Sequence, residues 1–333
     1  MYEQVTIKSI ETGKPEYGHS KPIRIKGNDN RIYYLKSKYS RKNDMDEDAS
    51  ALQEYISYEL AKQLNILVPN YKIINVNDKF IEDNKKVGKV GKVALKKGKY
   101  FASEIVPNAT TAPTSSDKKD WKIFLDGLDP QIFADLIVFN IYISNKDFFI
   151  NPTNLITSAR ETGEKNLYAI DFGASFVNPF LPSTDKIRFN RMSSTEKPNN
   201  FQIDKTTALN AYIENPNSFR MDLETAGNTY VLNFLANKLS YETNPFNNMV
   251  KKIENIKNCD IEEILCNAPG EWFTKEYENE DKEVYINFLK KNKYKVKDVI
   301  ENMVRYNLLG NAPIIKEENL DLGMKICKSR LKW

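Results

Sequence analysis

Three polar residues close together in the chain have the types and spacing for chemistry: Asp147 in Ser144-Asn145-Lys146-Asp147, Asn154 in Asn154-Leu155-Ile156, and Asp171 in Ile170-Asp171-Phe172-Gly173. An Asp ahead of a short loop, an Asn soon after it and an Asp-Phe-Gly at the end of an apolar strand form the arrangement that ATP-dependent phosphoryl transfer needs. In that chemistry one carboxylate, here Asp147, orients the acceptor hydroxyl. The Asn and the second carboxylate hold the magnesium that neutralises the phosphates. An isolated Asp-Phe-Gly is often only a turn after a strand, so the weight falls on its surroundings.

Those surroundings supply the right elements. Gln131 to Ser144 has the length and apolar content of a core helix and ends just before Asn145, and Leu167-Tyr168-Ala169-Ile170 reads as a buried strand that delivers Asp171 to its end. Helix, polar loop, strand and acidic turn follow in the order of a kinase catalytic segment. Upstream, Pro22-Ile23-Arg24-Ile25 and Arg31 to Lys36 flank the turn-rich Gly27-Asn28-Asp29-Asn30 and predict a hairpin with Lys36 at the end of its second strand. A lysine there neutralises ATP phosphates when an acidic residue on a nearby helix holds it. Ala49 to Asn65 aligns Leu52, Tyr55, Ile56, Leu60 and Leu64 on one helical stripe with Glu54 and Glu59 near its edges, and Glu54 is the expected partner. A solvated strand-end lysine is the plainer alternative for Lys36. Tyr71 to Val76 and Tyr100 to Val106 read as further strands. Glu104, Ile105 and Val106 fall where a two-lobed kinase exposes linker backbone to the adenine.

At 333 residues and 41% hydrophobic content the chain can bury a large core. We expect an α+β, two-lobed, protein-kinase-like fold, with a β-rich lobe over 1–106 and a mainly helical lobe over 107–333. The net charge of +4 gives no case for nucleic-acid binding, and the near-repeat Lys86 to Val93 reads as an exposed hairpin. One histidine, His19, argues against a His base or a multi-His metal site, and three irregularly spaced cysteines fit a reducing cytoplasm. The N-terminus lacks a signal-peptide apolar region and Asp135 and Asn140 interrupt the most apolar helix, so no membrane span is expected. Beyond Asp185 the stretches Asn228 to Glu242, Asn248 to Lys257, Val284 to Lys291 and Val296 to Leu308 read as helices. Trp272 reads as a core anchor rather than a partner contact, and Arg188 to Gln202 stands at the distance of an activation-type loop.

Several separated blocks carry a family resemblance: IYYLKS, EYISYELAKQLNILVPNYKII, FASEIVPNATT, NKDFFINPTNLI, LYAIDFGASF, and a Pro-x-x-Trp ahead of a closing helix in ILCNAPGEWFTKEYENEDKEVYINFL. In this order they resemble HipA-like kinases, part of the wider protein-kinase and phosphoinositide-kinase-like fold. The resemblance implies Asp147 as catalytic base, Asn154 and Asp171 as magnesium ligands, Lys36 as phosphate contact and the 104–106 backbone as adenine contact. It also puts Gly18 and Ser20 in a phosphate-covering loop. It implies ATP and Mg2+, a protein serine or threonine hydroxyl as acceptor, and a bacterial toxin or growth regulator silenced by a DNA-binding, antitoxin-like partner.

Two departures bear on activity. Phe148 stands where the family usually has Arg. Asn154 lies seven positions after Asp147 (154 − 147) instead of the five of the common catalytic loop. Asn151-Pro152-Thr153-Asn154-Leu155 resembles a longer family loop ending in Asn-Pro-Asn-Leu, which favours Asn154 as ligand with Asn151 in reserve. A nucleotide-binding pseudokinase acting as an interaction module, and a lipid or small-molecule kinase on the same scaffold, are the alternative readings.

Overall fold

A computed structural model describes residues 5–11, 23–36, 49–83, 96–114, 117–145, 147–148, 151–159, 164–177, 181–183 and 245–305. Gly18, Ser20, the Lys86 to Val93 repeat, Arg188 to Gln202 and Asn228 to Glu242 lie outside the described residues.

Alternating apolar residues build an antiparallel sheet from β1 (Ile7–Ile10), β2 (Ile23–Gly27), β3 (Ile32–Lys36), β4 (Tyr71–Val76) and β5 (Gly98–Glu104), in the order β1-β2-β3-β5-β4. The β2–β3 hairpin pairs Ile23 with Leu35 and Lys26 with Ile32. Its turn passes through Asn30 at φ 64°, a left-handed position that asparagine tolerates, and Asp29 accepts the Arg31 N–H at 3.1 Å. Because side chains alternate along a strand, the sheet serves two cores. Ile25, Tyr33, Leu35, Ile74, Val76 and Tyr100 form an outer cluster, against which Phe80 and Ile81 of α2 (Asp78–Asp83) pack. On β5 the intervening Phe101 faces the main core.

Helix α1 (Ser50–Gln63) crosses that inner face. The sequence predicts a single apolar stripe here, but the helix is buried on nearly every side: Gln53, Glu54, Ser57 and Tyr58 are covered along with Leu52, Tyr55 and Ile56. It lies between the sheet and a helical body and so has no solvent face to spare for Glu54.

That body contains α3 (Lys118–Leu125), α4 (Pro130–Tyr142), α5 (Asn247–Glu254), α6 (Asn258–Asn267) and α7 (Glu278–Arg305), with a small sheet of β6 (Thr110–Thr111), β7 (Leu155–Ala159) and β8 (Lys165–Ala169). Helix α4 starts where the sequence dictates, with Asp129 capping the Gln131 N–H at 2.9 Å and Pro130 in the first turn. The two helices expected over Val284 to Lys291 and Val296 to Leu308 are one continuous 28-residue α7. Asn292 and Lys293, which lie between the two expected stretches, are buried, and Lys293 Nζ donates to the Ile256 carbonyl and Asn258 Oδ1, both at 2.9 Å. The lysine ties α7 to the start of α6. Trp272, in the turn before α7, is fully buried.

The fold is thus α+β, with a curled β-rich N-terminal part and a helical C-terminal part. Among the described residues no helix is long and apolar enough to cross a membrane.

Candidate active site

Lys36 ends β3, and its ammonium reaches over the inner face of the sheet to two carboxylates. Nζ donates to Glu54 Oε1 of α1 and, at 2.6 Å, to Asp171 Oδ1. The side chains differ in cover: Lys36 is 11% exposed, Glu54 1% and Asp171 41%. When all three are ionised the trio carries one negative charge in excess, and the driest member resists it. Burial pushes the Glu54 carboxyl up to about 7, with Lys36 pulling against the shift and Asp171 adding to it. The same two carboxylates outweigh the cost of burying Lys36 and keep it protonated, with its pKa raised.

The turn after β8 is fitted to this cluster. Asp171 adopts φ 62°, turning its carboxylate off the strand line, and the Phe172 N–H donates to Glu54. Phe172 is fully buried, edge-on to Tyr58 of α1 at 5.7 Å and to Phe139 of α4 at 5.9 Å. A Cβ on Gly173 would come within 2.9 Å of the Ser50 Cβ, so the glycine is what lets the first turn of α1 approach so closely.

The remaining polar residues come from a loop and a hairpin. Helix α4 ends in a tight exit in which Ser144 adopts φ 49° and Asn145 is buried, its Nδ2 donating to Asn140 Oδ1 at 2.9 Å. Asp147 follows, and Asn154 Nδ2 donates to its Oδ2 at 2.7 Å. Burial raises the Asp147 pKa, opposed chiefly by that bond. The Asn151 amide also donates to the Asp147 carboxylate, and Asn151 has a second task. Its side-chain oxygen caps the short 3-10 turn Pro152–Asn154 by accepting the Thr153 N–H at 3.2 Å. The β7–β8 ladder pairs Leu155 with Ala169, and the Ile170 N–H donates to the Asn154 carbonyl at 3.0 Å. Strand pairing therefore sets Asn154 opposite Ile170, the residue before Asp171.

Lys36, Glu54 and Asp171 thus converge, and Asp147 and Asn154 join them through the hairpin. The linker residues stand at the end of β5. The Glu104 N–H is taken by the Asn70 carbonyl at 2.7 Å and the Ile105 N–H by the Ile32 carbonyl at 2.9 Å, while the Glu104 side chain pairs with Arg31 at 3.0 Å. Sequence reasoning did not reach the supports Phe172, Gly173 and Asn145. The Asp-Phe-Gly motif contains the first two, but their packing partners lie on elements distant in the chain.

The donor set suits magnesium. Asp171 offers carboxylate oxygen, and Asn154, with its amide nitrogen committed to Asp147, has its amide oxygen left to meet a cation; both are hard donors. Among the described residues no cluster of three or more His, Cys, Asp or Glu forms a metal cage. Magnesium does not need one, since it is commonly held by one or two side chains with substrate phosphates and water completing the shell.

A β-rich part delivering a paired lysine, a buried glutamate helix and an Asp–Asn–Asp hairpin define a protein of the kinase class. The model of the HipA-like kinase family matches residues 7–189, more than half of the chain, and the chain belongs to that family. Its fold is similar to the crystal structure of the Helicobacter pylori proinflammatory kinase CtkA, with a TM-score of 0.51 at 13% identity, over 90% of this chain and 99% of that one. The toxin–antitoxin protein HipA of Shewanella oneidensis MR-1, solved with HipB and operator DNA, aligns with a TM-score of 0.34 at 13% identity, over 81% of this chain and 60% of that one. Comparison with curated protein sequences finds no match.

Proposed function

We propose that this kinase uses ATP and magnesium to phosphorylate a serine or threonine hydroxyl of a protein, with its lobes divided after Val106. The observation that carries the reading is Lys36, held between Glu54 and Asp171 beside the Asp147–Asn154 pair. A lysine–glutamate pair and a metal-binding aspartate are the parts that must stand together for phosphoryl transfer.

In this reading Lys36 meets the phosphate oxygens, and Glu54 fixes where its ammonium points. Asp147 holds the acceptor hydroxyl and takes its proton, a role that its raised pKa favours because a base closer to neutrality transfers protons more effectively. Asn154 keeps that carboxylate in place and, with Asp171, holds magnesium. When bound, the metal neutralises charge on the transferring phosphoryl group. With the Glu104 and Ile105 N–H groups already engaged, the adenine is read by the carbonyls of this linker and the Val106 N–H. Gly18 and Ser20 cover the phosphates. A cytoplasmic site of action, which the cysteine content supports, belongs to the same proposal, as do a growth-regulating role and a DNA-binding, antitoxin-like partner, which rest on family membership alone.

One observation favours a second reading. Phe148, in place of the family's usual Arg, is buried among apolar residues and supplies no positive charge beside Asp147. On that basis the chain is a nucleotide-binding pseudokinase. Transfer of labelled γ-phosphate from magnesium ATP to the protein and to a cell lysate separates the two. The kinase labels with wild type and loses about 10²- to 10⁴-fold in rate on Asp147→Ala, with a comparable or larger loss on Asp171→Ala. Nucleotide binding without any label selects the pseudokinase.

A further inference from the structure

Three consecutive buried residues of α1 divide their contacts between the two ends of the chain. Glu54 faces Lys36. Gln53 Nε2 donates to the Tyr285 hydroxyl of α7 at 3.0 Å, in a fully buried contact 232 residues apart in sequence. Tyr55 packs edge-on against Trp272 at 5.9 Å. The Trp272 indole N–H in turn donates to the Lys99 carbonyl of β5 at 2.8 Å.

Helix α7 also grips the segment that follows Asp171. The Tyr285 ring stands edge-on to Phe176 at 5.2 Å and an interplanar angle of 89°, and Phe288 flanks the same ring at 5.4 Å. Phe176 is fully buried at φ 57°, with its N–H on the Ile143 carbonyl at 2.7 Å. Seven residues further on, Asp281 of α7 accepts both the Ser183 N–H at 2.9 Å and its hydroxyl at 2.8 Å. A single side chain, Tyr285, therefore touches the neighbour of Glu54 through its hydroxyl and the Asp171 segment through its ring.

We infer that Tyr285 is a positioning residue that holds Glu54 and Asp171 in place around Lys36, so that helix α7 fixes the geometry of the nucleotide site from a distance. The consequence for nucleotide rests on the kinase reading above; the geometric claim does not. Tight coupling of this kind is expected because a packed ring and a buried hydrogen bond admit discrete arrangements rather than gradual drift.

The test uses the full chain and two substitutions, Tyr285→Phe, which keeps the ring and removes the hydroxyl, and Tyr285→Leu, which removes both. Lys36 geometry is read without nucleotide, by the rate at which acetic anhydride acetylates Lys36 in mass-spectrometric peptide maps. Magnesium ATP affinity is read in parallel, and thermal midpoints are recorded for every variant. Loss of one buried hydrogen bond corresponds to roughly 2- to 10-fold. Tyr285→Phe is expected to raise Lys36 acetylation and weaken magnesium ATP binding by about that factor, and Tyr285→Leu by more. In a Glu54→Gln background the same Tyr285→Phe change is expected to alter either readout by less than about 2-fold, the non-additivity of residues acting through one another. Equal effects in both backgrounds, or unchanged Lys36 acetylation in a folded Tyr285→Phe protein, would overturn the inference. A wild type that binds no nucleotide overturns the kinase reading instead, and Lys36 acetylation still decides the coupling.

Discussion

The two halves of the site are built on opposite terms. Lys36 and Glu54 form a dry ion pair assembled from a strand and a helix, and their third member lies 135 residues beyond Lys36. Asp147 and Asn154 are joined within one loop and hairpin, seven residues apart, through a part-buried hydrogen bond. A buried pair is strongly costly to break because the partner left behind is a charge without solvent. A loop bond near water is cheap to lose. The first half should therefore report its damage in stability and the second in turnover.

The largest effect expected from this contrast is that of Lys36→Met. It leaves Glu54 and Asp171 facing each other with no cation between them, at a cost of about 3 to 5 kcal/mol in stability. The thermal midpoint in differential scanning fluorimetry should fall by several degrees, whereas Asp147→Ala should leave it nearly unmoved. Equal shifts for the two would erase the distinction.

An intermediate effect concerns pH. The Glu54 carboxyl is raised from 4.5 in the unfolded chain to about 7 in the folded one, so between these values the folded state holds a proton that the unfolded state has released. The stabilisation is fully present below pH 4.5 and is lost as pH rises through about 7. The thermal midpoint of wild type minus that of Glu54→Gln should accordingly shrink from pH 5 to pH 8. A constant difference would show that Glu54 ionises as an ordinary carboxyl.

Smallest of the three is Asn151→Ala. Removing the cap of the 3-10 turn should cost about 1 kcal/mol and loosen Asn154, so kcat should fall a few-fold with little change in KM for magnesium ATP. A loss as large as that of Asn154→Ala would mean that Asn151 acts through its bond to Asp147 and not through the cap alone.

The same contrast explains what could be read from the sequence. Asp147, Asn154 and Asp171 stand out because helix, loop and hairpin are local, and each announces itself by an apolar run, a turn residue or a cap such as Asp129 ahead of Pro130. The β2–β3 hairpin and Tyr71–Val76 are legible for the same reason. Strand β1 is not, because Ile7–Ile10 is too short to show a pattern before its pairing with β2 is known. The depth of Glu54 is equally hidden. Periodicity marks the apolar face of α1 but cannot tell that the sheet and the helical body cover the other faces as well. Helix α7 misleads in the opposite sense, since Asn292 and Lys293 look like solvent residues until Ile256 and Asn258 are placed beside them.

The bonds from Glu271 and Trp272 to Lys99 also set a timetable. Both backbone groups of Lys99 are held by side chains from the far end of the chain, Glu271 accepting its N–H across 172 residues and Trp272 donating to its carbonyl across 173. At about 5 to 20 residues per second of synthesis, β5 emerges from the ribosome roughly 10 to 35 s before the turn that completes it. Throughout that interval Tyr55 lacks Trp272 and Gln53 lacks Tyr285, so the nascent chain carries the Asp147–Asn154 loop before the surroundings of Glu54 are complete.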